Sequence, residues 1–198
     1  KNLEIHIENM KKFGNNILVA INKFATDTDK EIELVQKLTE RLGVKAIETT
    51  VFADGSEGGV KLAQHLVELC ENDNEFKYLY DESLPTKEKI ETIAKEIYRA
   101  REVVYTKKAE KSIIKLESLG YNDLPVCIAK TPYSLSDDPN KNITVDDYEI
   151  TIRDVRVNAG AGFVVAYTDN ILTMPGLPKV PNAYQIDLDS NGEIVGLF

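Results

Sequence analysis

The chain has 198 residues, a net charge of −9, 42% hydrophobic residues and 29% charged residues. That balance gives a globular chain of one or two domains with enough apolar side chains for a real core. The acidic excess excludes non-specific nucleic-acid binding, which needs a basic face, and no apolar run is long enough to span a bilayer as a helix.

Residues 2–13 carry Leu3, Ile5, Ile7 and Met10 among charges and predict an amphipathic helix closed at Gly14. The chain starts at Lys1, inside that helix, which suggests a fragment. Residues 16–22 (NILVAIN) form a short apolar run of the kind found in buried parallel strands. The polar loop 26–29 offers caps to a helix over 31–42, which repeats Ile32, Val35 and Leu38 and stops at Gly43. Residues 44–52 read as a second strand, and a Gly-rich turn over 55–59 leads into a helix over 60–71. Strand, helix, strand, Gly-rich turn and helix make an α/β doubly wound pattern, with the two strands as parallel neighbours.

Pro85 and Thr86 open a helix running to Tyr98, followed by an extended piece at 103–105. Thr106 caps a further helix to Leu119, ended by Gly120. Residues 124–129 read as a strand and 131–142 as a polar loop. Alternation predicts a strand over 148–157, an apolar strand over 162–168, and another over 183–187 before an Asp-Ser-Asn-Gly turn. This divides the chain into an α/β core at 1–75, a mainly helical excursion with one strand at 76–145, and a β-rich segment at 146–198. The sheet is expected to run from the first part into the last.

Cys70 and Cys127 fit no metal spacing and read as two free, buried thiols of a reducing cytoplasm. His6 and His65 stand alone on helical stretches, where surface or packing roles outweigh metal ligation. No metal site is expected.

Four segments are able to carry chemistry. The run 19–28 (VAINKFATDT) delivers Asn22, Lys23 and Phe24 to the carboxyl edge of a strand, where open α/β sheets bind ligands. The plain alternative has Phe24 capping the core and Lys23 solvated. An Asn-Lys pair here resembles the base-binding motif of GTP-binding proteins, but Ala25 stands where that motif needs a carboxylate. In the run 51–59 (VFADGSEGG), Gly55, Gly58 and Gly59 permit a tight turn, and the next helix offers free N–H groups to an anion. An ordinary strand-to-helix loop explains the glycines equally. Phe52 again puts an aromatic at the ligand edge, and two such rings can hold a flat heterocycle, each stack giving about 0.5–1.5 kcal/mol beyond area burial. The third segment, 123–139, brings Lys130, Tyr133 and several Ser and Asp residues to a loop, suited either to an anion or to local capping. The fourth, 153–163 (RDVRVNAGAGF) with 173–181 (TMPGLPKVP), has small residues and Pro-Gly bends that favour a structural use.

Taken in order, NKF-TDT, the glycine turn after an aromatic, LPVC-AKT-YSLSDDP, R-VRV-AGAGF, TMPGLPKVP and a terminal IVGLF resemble the formate–tetrahydrofolate ligase family over essentially the whole chain. The resemblance implies a P-loop-NTPase-like doubly wound sheet, of which this is the C-terminal portion, with a small α+β excursion. It implies ATP with Mg and tetrahydrofolate as substrates of the full enzyme, none held firmly by the fragment. Formate and ATP give formyl phosphate, which N10 of tetrahydrofolate attacks. The implied pterin sandwich falls on Phe24 and Phe52, the second replacing the family's usual Trp in a chain that has none. Asn22, Lys23, Gly55, Ser56, Gly58 and Gly59 fall near the nucleotide or an anion. No residue of this chain is assigned a catalytic role. No G-x-x-x-x-G-K-[ST] occurs, so the phosphate loop belongs to an upstream N-terminal portion, the expected partner, and the fragment alone is expected to be inactive. A cytoplasmic homotetramer without nucleic-acid or membrane partners is implied. The competing expectation is a non-catalytic packing or oligomerisation domain. If the sandwich is right, the two rings are expected to stand apart by on the order of twice the 4.5–7 Å stacking distance.

Overall fold

The computed structural model describes residues 1–141, 147–168 and 180–196. The Pro-Gly bends at 173–179 and the terminal Leu197 and Phe198 lie outside the described residues. The chain is mixed α/β, and the strands among the described residues lie in four small sheets.

The first region begins with helix α1 (Asn2–Lys11), which buries Ile5 and Ile7. Strand β1 (Leu18–Asn22) pairs in parallel with β2 (Lys45–Thr49), Leu18 opposite Lys45 and Asn22 opposite Thr49, as the apolar runs predicted. Helix α2 (Asp29–Arg41) joins them. Its start is fixed by a capping box. The Thr28 hydroxyl accepts from the Glu31 N–H at 3.4 Å, and the Glu31 carboxylate accepts from the Thr28 N–H at 2.9 Å. Helix α4 (Val60–Cys70) returns across both strands. Side chains alternate faces along a strand. Lys45 meets His65 of α4, whereas Glu48 meets Lys23 beside the start of α2, so the two helices cover opposite faces of the pair.

The predicted second strand overshoots. The chain leaves β2 after Thr49 and turns at once into a short helix α3 (Val51–Asp54) and a 3-10 turn (Gly55–Gly59). The Thr50 carbonyl accepts from the N–H groups of Ala53 and Asp54, and its N–H donates to the Gly58 carbonyl, which folds the chain back on itself. Phe52 therefore sits on this helical turn, not at the end of the strand.

The second region holds α5 (Thr86–Glu96), β3 (Glu102–Tyr105), α6 (Lys107–Ser118), β4 (Val126–Ala129), β5 (Glu149–Ile152), β6 (Asp154–Asn158) and β7 (Phe163–Tyr167). Strand β3 pairs in parallel with β5, and β7 lies between β4, parallel to it, and β6, antiparallel. Two expectations are corrected here. The alternating run 148–157 is two strands, broken at Arg153, where the chain leaves β3 and joins β7; the Arg153 N–H donates to the Tyr167 carbonyl at 2.7 Å. Among the described residues of the stretch 76–145 there are two strands, β3 and β4, where one was expected, and both pair with strands of the last part. Their partners lie far along the sequence, beyond the reach of any local pattern.

The main core belongs to this second region. Ile90, Ala94, Ile113, Leu116, Ile150, Ile152, Val164 and Ala166 pack together, and α1 adds Ile5. Lys89 of α5 is wholly buried beside them, its ammonium donating to the carbonyls of Asn122 (2.6 Å) and Leu124 (3.1 Å). Burial pushes this ammonium below its ordinary value. In place of a strand over 183–187 there is a 3-10 turn (Asn182–Tyr184) and a two-residue strand β8 (Asp187–Leu188), paired with β9 (Ile194–Val195) across the expected Asp189–Gly192 turn. Both cysteines are exposed, against expectation. Cys70 lies on α4, which buries none of its residues, and Cys127 lies on the face of β4 opposite the buried Ile128. Among the described residues no helix is long and apolar enough to cross a membrane, and no group of three His, Cys, Asp or Glu side chains is placed to hold a metal.

Candidate ligand site at the strand ends

The carboxyl ends of β1 and β2 carry the residues singled out by sequence. A tight turn follows β1: the Asp27 N–H donates to the Phe24 carbonyl at 3.0 Å, and the Asp27 carboxylate accepts from the Phe24 N–H at 2.8 Å. This turn sets the direction of the Phe24 side chain. Beyond β2 the return loop is locked at Gly58, whose carbonyl accepts from both the Thr50 N–H (3.1 Å) and the Thr49 hydroxyl (3.0 Å). A Cβ on Gly58 would lie 2.5 Å from the Thr50 carbonyl carbon, so glycine is required there. Gly55, at φ +60°, needs glycine for its backbone angle instead.

These two turns bring Phe24 and Phe52 together. Their ring centroids are 5.7 Å apart with planes tilted by 46°, and they remain 47% and 80% exposed. Neither is a core residue. The expected open slot is not observed, because the rings touch. Neighbouring exposed rings gain about 0.5–1.5 kcal/mol from such contact, and both lie on short turns that bring them within reach.

The polar residues separate into two groups. Asn22, Gly55 and Ser56 are exposed at the rim, and Gly59 leads into α4. Lys23, expected near an anion, is tied to carboxylates instead: its ammonium lies 3.3 Å from Asp29 and 3.4 Å from Glu48. The hydrogen bond to Asp29, then that to Glu48, holds it above its ordinary value. Lys23 thus braces the end of β1 against α2 and β2. Sequence reading missed Glu48 and Asp29. A carboxylate at the penultimate position of an apolar strand, opposite a lysine-bearing strand end, was the available signal.

Other segments do less. Lys130 donates to the carbonyls of Thr131 and Ser134 and lies 4.8 Å from the centre of the Tyr98 ring. Burial lowers its pKa. Its loop is capped from within, Ser134 to Ser136 and Ser136 to Asp138, although Tyr133 is fully displayed. Asp154 is buried, with Lys108 at 2.9 Å and Arg156 at 3.0 Å. Burial works to raise its pKa, but hydrogen bonds from Lys108 and Arg156 outweigh it and hold the carboxylate below its usual range. Grooves of about 310 and 270 Å3 lie at the opposite, amino ends of β1 and β2. Their linings, drawn from α2, α4 and the strand starts, hold no Phe or Tyr ring, and they lie away from the edge where open α/β sheets bind ligands, so the aromatic pair remains the better candidate.

A family model for formate–tetrahydrofolate ligase matches residues 1–198. The chain belongs to the formate–tetrahydrofolate ligase family. The formate–tetrahydrofolate ligase of Fervidobacterium nodosum is 50% identical over 199 residues, covering all of this chain and 36% of that protein. The chain therefore spans about a third of the length of this curated family member.

Proposed function

We propose that this chain supplies the pterin-binding part of a formate–tetrahydrofolate ligase. The observation that carries the reading is the pair of exposed, mutually touching rings, Phe24 and Phe52, at the carboxyl edge of two parallel strands. A bound pterin would replace the ring–ring contact with two ring–pterin contacts, exchanging one stack for two. Asn22, Gly55, Ser56, Gly58 and Gly59 form the rim on which nucleotide or anion would border the folate. The unit β1–α2–β2–α4 is then one edge of a doubly wound, P-loop-NTPase-like sheet, and the phosphate loop belongs to the rest of the polypeptide. The full enzyme would use ATP with Mg to convert formate to formyl phosphate. N10 of tetrahydrofolate would then attack the formyl carbon and displace phosphate. A cytoplasmic homotetramer is part of the same proposal.

In the full-length enzyme, Phe24→Ala is expected to weaken tetrahydrofolate binding by about 1–3 kcal/mol, the usual cost of losing an aromatic platform beneath a flat base. Apparent affinities for ATP and formate should move much less, and Phe52→Trp should leave folate binding unchanged or tighter. The 198-residue chain alone should show no ATP-dependent formylation. The 5.7 Å ring contact also favours a second reading, in which the rings serve only each other and packing. An unaltered folate affinity in Phe24→Ala, with a loss of stability instead, would select that second reading.

A further inference from the structure

The first region ends in a bare surface whose form specifies what covers it. The Lys23 N–H donates to the Thr49 carbonyl, so residues of β1 alternate toward and away from β2, as a parallel ladder requires. Leu18, Ala20 and Asn22 turn their backbone groups outward, and among the described residues nothing bonds to them. The outer edge of β2 is different. Its own chain partly closes it, through the Gln36 amide on the Ala46 carbonyl and through the Gly58 lock. Above the strands, α4 meets them with Leu62, His65 and Leu69, all half-buried. A second stripe faces away: Val60, Ala63, Val67 and Cys70, spaced i, i+3, i+7 and i+10, are all exposed, with Val67 at 62%.

We infer that the part of the full-length polypeptide outside these 198 residues covers this surface, laying a strand parallel to β1 along its bare edge and packing on the outer stripe of α4. Three observations select this occupant. Parallel sheets occur buried on both faces, and a two-stranded sheet is marginal alone. A second copy related by a two-fold axis would meet the β1 edge antiparallel, against the grain of the pair. The region matched in the Fervidobacterium nodosum enzyme is 36% of its length, which leaves ample chain to supply strand and cover. The inference rests on family membership and stands whether or not the ring pair binds a pterin.

The test uses the full-length protein, with thiol labelling read at Cys70 and amide hydrogen exchange read residue by residue. Cys70 is expected to label at least about tenfold more slowly than in the urea-unfolded protein, since reaction must await local opening. The amides of Leu18, Ala20 and Asn22 should be protected, and neither effect should depend on protein concentration. Val67→Glu should speed Cys70 labelling. If that variant fails to fold, hydrogen exchange of the unaltered protein decides alone. Exchange at the unfolded rate at Leu18, Ala20 and Asn22 overturns the inference, as does protection that appears only as protein concentration rises, which would assign the surface to a second copy.

Discussion

The two regions of this chain use their apolar residues differently. From α5 to β7, segments distant in sequence close around one cluster, and Ile90, Ile150, Ile152 and Val164 have essentially no exposed surface. From β1 to α4, segments close in sequence form a layered unit in which α4 buries nothing and Leu34, Leu66 and Val67 remain exposed. The closed region accounts for most of the packing. The open one carries the ring pair and the glycine turn. The candidate site lies on the layer with the less buried apolar surface, a division in keeping with functional elements being drawn from the less stable parts of a fold.

The comparison can be broken by measurement. The largest effect is expected for Ile150→Ala, about 2–5 kcal/mol of stability by urea unfolding. Its counterpart Leu66→Ala in α4 should stay within about 0.5 kcal/mol in the 198-residue chain; comparable costs would erase the distinction. Asp154→Asn, which removes a charge held by Lys108 and Arg156, should cost about 1–3 kcal/mol. The Asp154 pKa is lower in the fold than unfolded, so its contribution is present above the unfolded value of about 3.9 and is lost as pH falls through the lower folded value. The variant should therefore lose part of the acid sensitivity of unfolding. Thr28→Ala, which breaks the capping box of α2, should cost about 1 kcal/mol, read by the same denaturation. A small effect, about 0.5–1.5 kcal/mol, is expected for Phe52→Leu, which loses the ring contact with Phe24 but little buried area. A larger loss would place Phe52 in the packing of the chain.

What was legible in the sequence follows the same division. Capped helices and the β1–α2–β2 unit were readable because Thr28, Gly43, Thr106 and Gly120 punctuate them locally. Phe24 and Phe52 were expected at the ends of two adjacent strands; Phe24 follows β1, but Phe52 lies on the turn beyond β2, and the contact of the two rings was not foreseen, since it depends on the Gly58 lock curling the chain back after Thr50. The sheets of the second region were not readable. Strands of four or five residues, such as β3, β4 and β5, carry too few positions for periodicity to name their partners. Both cysteines were assigned to the interior by residue type, whereas each lies on a surface left uncovered by the described residues.

Gly58 has a mechanical consequence. Its carbonyl holds the Thr49 hydroxyl and the Thr50 N–H at once, two residues before α4 begins and six after Phe52. Tilting or sliding α4 must therefore either drag the turn that bears Phe52 or tear two hydrogen bonds, each worth about 0.5–1.5 kcal/mol. Whatever presses on the far side of that helix is geared, through one glycine, to the contact between the two rings.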